Sequence, residues 1–235
     1  DVTASEAGAI QSISGYVGTA SDYDITDTAT ALISATDSVL NVSGVDVVTV
    51  DDGTGSSVVT ANIGSSLAGF TADVEFDVAD DAAGLIAEMG GADVAGHLTE
   101  ANSIIVDDIQ TGSVVNANDG AILAGFTADV GFDVIDTADN IALEVAGTPN
   151  SGDELNSVDA NGVINTVVVS GGDVTASEAG AIQSISGYVG TASDYDITDT
   201  ATALISATDS VLNVSGVDVV TVDDGTGSSV VTANI

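Results

Sequence analysis

Carboxylates are the only plentiful reactive groups in this chain. Thirty Asp and seven Glu face no Lys, Arg or Cys and a single His, for a formal net charge of −37. A pair of carboxylates can hydrolyse a glycoside, and a series of them offers hard oxygen ligands to Ca²⁺. Hydrolysis needs one asymmetric, desolvated pair, whereas cation binding tolerates repetition, and these acids repeat. "DITDTATAL" at 24–32 returns as "DVADDAAGL" at 77–85, "DVIDTADNI" at 133–141 and again "DITDTATAL" at 196–204. Asp24, Asp77, Asp133 and Asp196 therefore hold one position in successive units. If like strands stack, they form a column with roughly 4.8 Å between strands. Such a column repels itself unless cations bridge it or some carboxyls stay protonated. A Ca²⁺ ladder is the metal reading and a solvated acidic face the plain one; no D-x-D-x-D-G series or GGxGxD nonapeptide accompanies it.

The other candidates have simpler readings beside the chemical one. Asp27, Asp80, Asp136 and Asp199 end the same segments just before a helical stretch, where an N-cap or first-turn acid is expected. Asp51, Asp52, Asp107 and Asp108 follow a second apolar run and offer a further cation site at a bend. The third unit has Val169-Ser170-Gly171-Gly172 there, and Asp-Gly turn chemistry explains the acids as well. His97 with Glu100 makes a weak metal pair against the reading of a helix-surface histidine. Asn41-Val-Ser43 and Asn213-Val-Ser215 match the N-glycosylation acceptor. Without Cys, Lys or Arg, and with no serine triad evident around the one His, nucleophilic and anion-clamping catalysis have little to use.

Composition narrows the partners. An all-acid chain cannot neutralise phosphate, which excludes the ordinary nucleic-acid mode and anionic membranes. Cations are its natural partners, and a salty medium would screen its self-repulsion. Yet 44% of residues are hydrophobic, mostly small or β-branched, so the chain is no disordered acidic tail. Such residues suit thin, regularly stacked layers. No run reaches the roughly 18 apolar residues of a membrane span, and no basic segment marks a signal peptide.

Two periods organise these layers. Residues 1–63 recur unchanged at 173–235, a period of 172; within it, the Asp phrases are spaced by 53, 56 and 63 residues. Degenerate units of about 57 residues thus fall at 24–76, 77–132, 133–195 and, partially, 196–235, in one continuous segment. "LAGFTADVEFDV" (67–78) and "LAGFTADVGFDV" (123–134) show the internal kinship most clearly. In each unit an alternating strand comes first: Val74, Phe76 and Val78, or Val130, Phe132 and Val134, or Tyr23 and Ile25, point inward. A short helix follows, with Leu32, Leu85 or Ile141. Next come a second strand ("VDVVTV", "NSIIV", "INTVVV"), a Gly-containing turn and a second helix. Ile10, Ile13 and Val17 mark one face of that helix at i, i+3 and i+7. Thr3 with Glu6 and Thr175 with Glu178 match the capping box, and Asn116 with Asp119 is a variant of it.

This alternation predicts an α/β fold: a β-rich, repetitive solenoid of short parallel strands and short helices, with a β-solenoid of few helices as the alternative. "ITDTATAL", "VIDTADNI" and "VTASEAGAI" resemble the tandem repeats of very large secreted or surface proteins of bacteria, such as adhesins and sheath or S-layer components. The resemblance implies an extracellular or cell-surface structural array, its partners being further copies of itself and divalent cations. A spacer in a cation- or ice-binding adhesin and a polysaccharide hydrolase are the competing functions.

Overall fold

The computed structural model describes residues 1–20, 22–89, 98, 100–107, 112–124, 130–145, 155, 164–223 and 225. Two compact units emerge, one comprising Asp1–Gln110 with Thr127–Val130 and the other Thr111–Phe126 with Gly131–Ile235.

The first unit contains α1 (Ala4–Gln11), β1 (Tyr23–Asp27), α2 (Ala29–Ala35), α3 (Asp37–Leu40), β2 (Val45–Val50), β3 (Val58–Val59), α4 (Ala61–Ala68), β4 (Val74–Glu75), β5 (Asp77–Asp80), α5 (Ala82–Met89) and β6 (Ile104–Val106). The second contains β7 (Val114–Val115), α6 (Ala117–Ala124), β8 (Val130–Asp136), α7 (Ala138–Val145), β9 (Ile164–Val174), α8 (Ala176–Gln183), β10 (Asp194–Asp199), α9 (Ala201–Ser206), α10 (Asp209–Leu212) and β11 (Val217–Val222).

Alternation in the sequence becomes parallel pairing. In the first unit β1 pairs with β2, β2 with β4, β3 with β5 and β5 with β6, all parallel. In the second, β7 pairs with β8, β8 with β9, β9 with β10 and β10 with β11, again all parallel. Parallel neighbours need a crossover, which the helices supply. Burial follows the period of two: Val74, Phe76 and Val78, and likewise Val130, Phe132 and Val134, are buried against the helices. Leu32, Leu67, Leu85, Leu123 and Ile141 are fully buried residues of the helical layer's α2, α4, α5, α6 and α7. Helix and strand sit close where the helix carries a glycine. A Cβ on Gly64 would come within 2.9 Å of Val78 Cγ2, and one on Gly120 within 3.0 Å of Val134 Cγ2.

The second strand neither turns back as a hairpin nor stops at its bend. In β9 the first half pairs with β8 (Asp136 opposite Val169) and the second half with β10 (Ser170 opposite Asp194, Val174 opposite Ile197). Gly171 and Gly172, at φ 77° and 107°, carry the handover in a backbone region that disfavours other residues. In the first unit the loop "DDGTGSS" (51–57) separates the corresponding halves, β2 and β3.

The fold is thus mixed α/β with parallel sheets, 40% helix and 30% strand, and no solenoid is detected among the described residues. Helix outweighs strand, contrary to the β-rich expectation, and the β-solenoid of few helices is overturned. Threonine caps and Ala-rich runs make the crossovers helical. Thr28 Oγ1 accepts from the Ala31 amide and Thr200 Oγ1 from the Ala203 amide. Both expected capping boxes form, as does the Asn116–Asp119 variant: the Asp119 amide donates to Asn116 Oδ1 and Asn116 Nδ2 to Asp119 Oδ2. The face expected over Ile10, Ile13 and Val17 is shortened, because α1 ends at Gln11 and leaves Ile13 and Val17 beyond it.

Candidate functional site

The most repeated polar structure is a joint centred on the aspartate that ends each first-type strand. Asp27 Oδ2 accepts from the Ala4 amide (3.0 Å), while Oδ1 accepts from the Thr28 amide (2.8 Å). Asp80 does the same with the amides of Ala61 and Asp81, both at 2.9 Å. Asp136 takes Ala117 (2.9 Å) and Thr137 (2.7 Å), adding Asn140 Nδ2 at 2.8 Å. Asp199 takes Ala176 (3.1 Å) and Thr200 (2.7 Å). Each carboxylate therefore satisfies the first turn of the helix before its strand and the entry to the helix after it. A helix leaves its first N–H groups unpaired and carries partial positive charge there, so one anion serves two termini. The expected first-turn role is borne out only in half: the partner 19 to 23 residues earlier in the chain had no local signature.

Within each unit the expected column of Asp24, Asp77, Asp133 and Asp196 does not form at one-strand spacing. A second-type strand intervenes in both: β9 stands between β8 and β10, and β2 between β1 and β4. Hydroxyls from these neighbours meet two of the acids. Asp77 accepts from Ser57 Oγ (2.5 Å) and Ser103 Oγ (2.6 Å), and Asp133 from Ser113 Oγ (2.5 Å) and Thr166 Oγ1 (2.6 Å). The Ser103 and Ser57 hydroxyls hold the Asp77 carboxyl below its ordinary range. In the unit that recurs, Val47 and Val219 replace the hydroxyl residues. There Asp196 Oδ1 accepts from the Val219 amide, and Asp173 lies opposite it. Near Asp24, Asp46 is pushed up, first by the charge of Asp22 and then by hydrogen bonding to it, with Asp24 adding repulsion. Among the described residues no group of three His, Asp or Glu is placed to hold a metal.

The remaining candidates settle into turns and surface. Asp51 Oδ1 accepts from the amides of Gly53 and Gly55, and Asp52 Oδ1 from the amide and hydroxyl of Thr54. The Thr54 hydroxyl, then its amide, lowers the Asp52 pKa. Asp107 is exposed, its amide donating to the Asp80 carbonyl; Asp108 and His97 lie outside the described residues. Glu100, Asn41 and Asn213 are exposed. Shallow grooves lie over three of the joints. One of about 380 Å³ is lined by Ala4, Gly8, Asp27, Ala31 and Val39, and its counterpart of about 480 Å³ includes Ala176 and Asp199. A third of about 330 Å³ contains Asn116, Asp136, Asn140 and Glu144. The first two present one carboxylate each, with both oxygens already accepting main-chain N–H groups.

Comparison with protein-family models, curated proteins and solved structures finds no match to this chain. Among the described residues, no helix is long and apolar enough to cross a membrane.

Proposed function

We propose that this chain is a repeat-built structural protein of an extracellular filament, sheath or surface layer. The observation that carries the reading is the recurrence of one Asp-centred joint at Asp27, Asp80, Asp136 and Asp199, each spent on holding two helices to a strand. Catalysis calls for one distinctive constellation, whereas these acids do the same mechanical job in every unit. The unchanged recurrence of 63 residues supports a module whose purpose is extension. A chain without Lys or Arg also offers no trypsin-type cleavage site, which suits an exposed material.

Cations enter this reading as counter-ions. With a net charge of −37 and no Lys or Arg, assembly needs an ionic strength that shortens the reach of repulsion to about 10 Å or less. Light scattering of the purified chain tests it: particles should grow as salt is raised. A chain that stays the same size from low to high salt sinks the proposal.

A further inference from the structure

Among the described residues, Thr36 alone has a positive φ without being glycine. Its backbone lies at φ 68° and ψ 162°, a region that a β-branched residue enters only under strain. Thr36 is the single residue between α2, which ends at Ala35, and α3, which starts at Asp37. Both helices are anchored. Leu32 of α2 is fully buried and Leu40 of α3 is 1% exposed, so neither helix can rotate to ease the turn without lifting a leucine from the core. The Thr36 hydroxyl meets Ser38 Oγ at 2.9 Å but does not cap α3, so its own side chain gives no reason for the strained turn.

The next residue supplies one. Asp37 Oδ1 accepts from the amides of Thr71 (2.9 Å) and Ala72 (3.4 Å), and Oδ2 from the Thr71 hydroxyl (3.0 Å). These bonds reach 34 residues along the chain and tie the α2–α3 corner to the segment that enters β4. That strand is two residues long, paired on β2 through Val48 opposite Val74 and Thr49 opposite Glu75. The two Thr71 bonds are exposed, where water competes for both partners. Of the three anchors around the hinge, Leu32 and Leu40 are held by burial, and Asp37 mainly by exposed hydrogen bonds. Asp37 is the one that opens first.

We propose that Asp37 latches a strained hinge at Thr36, so that the segment entering β4 is poised to part from the α2–α3 corner. When the latch bonds break, Thr36 returns to a negative φ and the released strain favours the open form. When they form again, the hinge is rewound. Such a corner is a local opening unit of low stability built between two firmly packed helices. The device is a property of this fold and stands apart from any assembly of the chain into an array.

Amide hydrogen exchange, read by NMR on the whole chain, tests it. Glycine tolerates a positive φ that alanine does not, whereas at a negative φ glycine is the less stable of the two. Thr36→Gly and Thr36→Ala lose the same hydroxyl, and only the second keeps a Cβ. Thr36→Gly should therefore exchange about fivefold or more slowly than Thr36→Ala at the Thr71 amide, which bonds Asp37, and at the Leu40 amide, which bonds the Thr36 carbonyl. In an Asp37→Ala background the hinge is unlatched, and the order at Leu40 should invert, with glycine exchanging faster than alanine. Asp37→Ser serves if Asp37→Ala does not fold. With Asp37 intact, equal rates in the two Thr36 variants, or a faster rate for glycine, overturn the hinge. A glycine advantage at Leu40 that persists without Asp37 overturns the latch. Thr36 is exposed, so both variants should keep the native helix by circular dichroism, and a Thr36→Gly chain that loses its fold also overturns the hinge.

Discussion

Removing the carboxylate of Asp136 isolates the joint from every other role an acid could have. Its oxygens accept from the Ala117 amide, the Thr137 amide and Asn140 Nδ2, at 2.9, 2.7 and 2.8 Å. Loss of an N-terminal cap costs about 1 kcal/mol, and two helix entries are served. Loss of the anion removes a further contribution of about 0.3–1 kcal/mol at each terminus, part of it already counted in the cap. Asp136→Ala should therefore cost about 2–3 kcal/mol, and 2 kcal/mol is about 30-fold in an opening equilibrium. Asp136→Asn, which keeps one acceptor oxygen, should cost about half as much. Asp139→Asn is the control: an exposed first-turn acid of α7, expected to lose about 0.3–1 kcal/mol from the dipole alone. Urea unfolding gives the totals, and amide hydrogen exchange gives the location. Protection should fall at Ala117 as well as at Thr137, although Ala117 is 19 residues away in sequence. A loss below about 0.5 kcal/mol, or one confined to Thr137, would refute the two-helix role, because a local cap cannot be felt at α6.

The hydroxyl clamp makes a pH prediction. The Asp77 carboxyl is held below its ordinary pKa, so its contribution is present above about pH 4 and is lost as pH falls through the lowered value. Ser57→Ala with Ser103→Ala should flatten the acid limb of stability below pH 4; an unchanged limb contradicts the clamp. Asp46 has the opposite sign: its raised carboxyl is repelled by Asp22 and Asp24, and protonation relieves it on mild acidification. Asp46→Asn should raise the melting temperature at neutral pH in low salt and have no effect in 1 M salt, and a salt-independent change would rule out repulsion. Ca²⁺ should stabilise no more than NaCl at matched ionic strength, since within each unit the acid column at one-strand spacing is absent. A melting temperature that rises with Ca²⁺ alone would restore a specific site.

Local chemistry was legible in the sequence where both partners lie within a few residues. Thr3 with Glu6, the inward run Val74–Phe76–Val78 and the strand–helix rhythm all read directly, because capping and alternation are short-range. Neighbour order was not. Aligning Asp24, Asp77, Asp133 and Asp196 by repeat suggested that they stack, but each 57-residue unit holds two strand types, and the second separates the first. The bridging role of Asp80 or Asp136 likewise depends on an amide 19 residues earlier, brought near only when the intervening helix packs. One signal was available for the hydroxyl clamps: Ser57 and Ser113 share a position in the repeat, as do Ser103 and Thr166. The unequal burial of Ile13 and Ile185, or of Val48 and Val220, could not be read at all, since the two copies are the same letters.

Electron microscopy of the native material, with an antibody against the repeated 63-residue segment, tests the structural role most directly. Gold label should be distributed along filaments, a sheath or a surface lattice. Label found only on dispersed particles the size of single chains would contradict it.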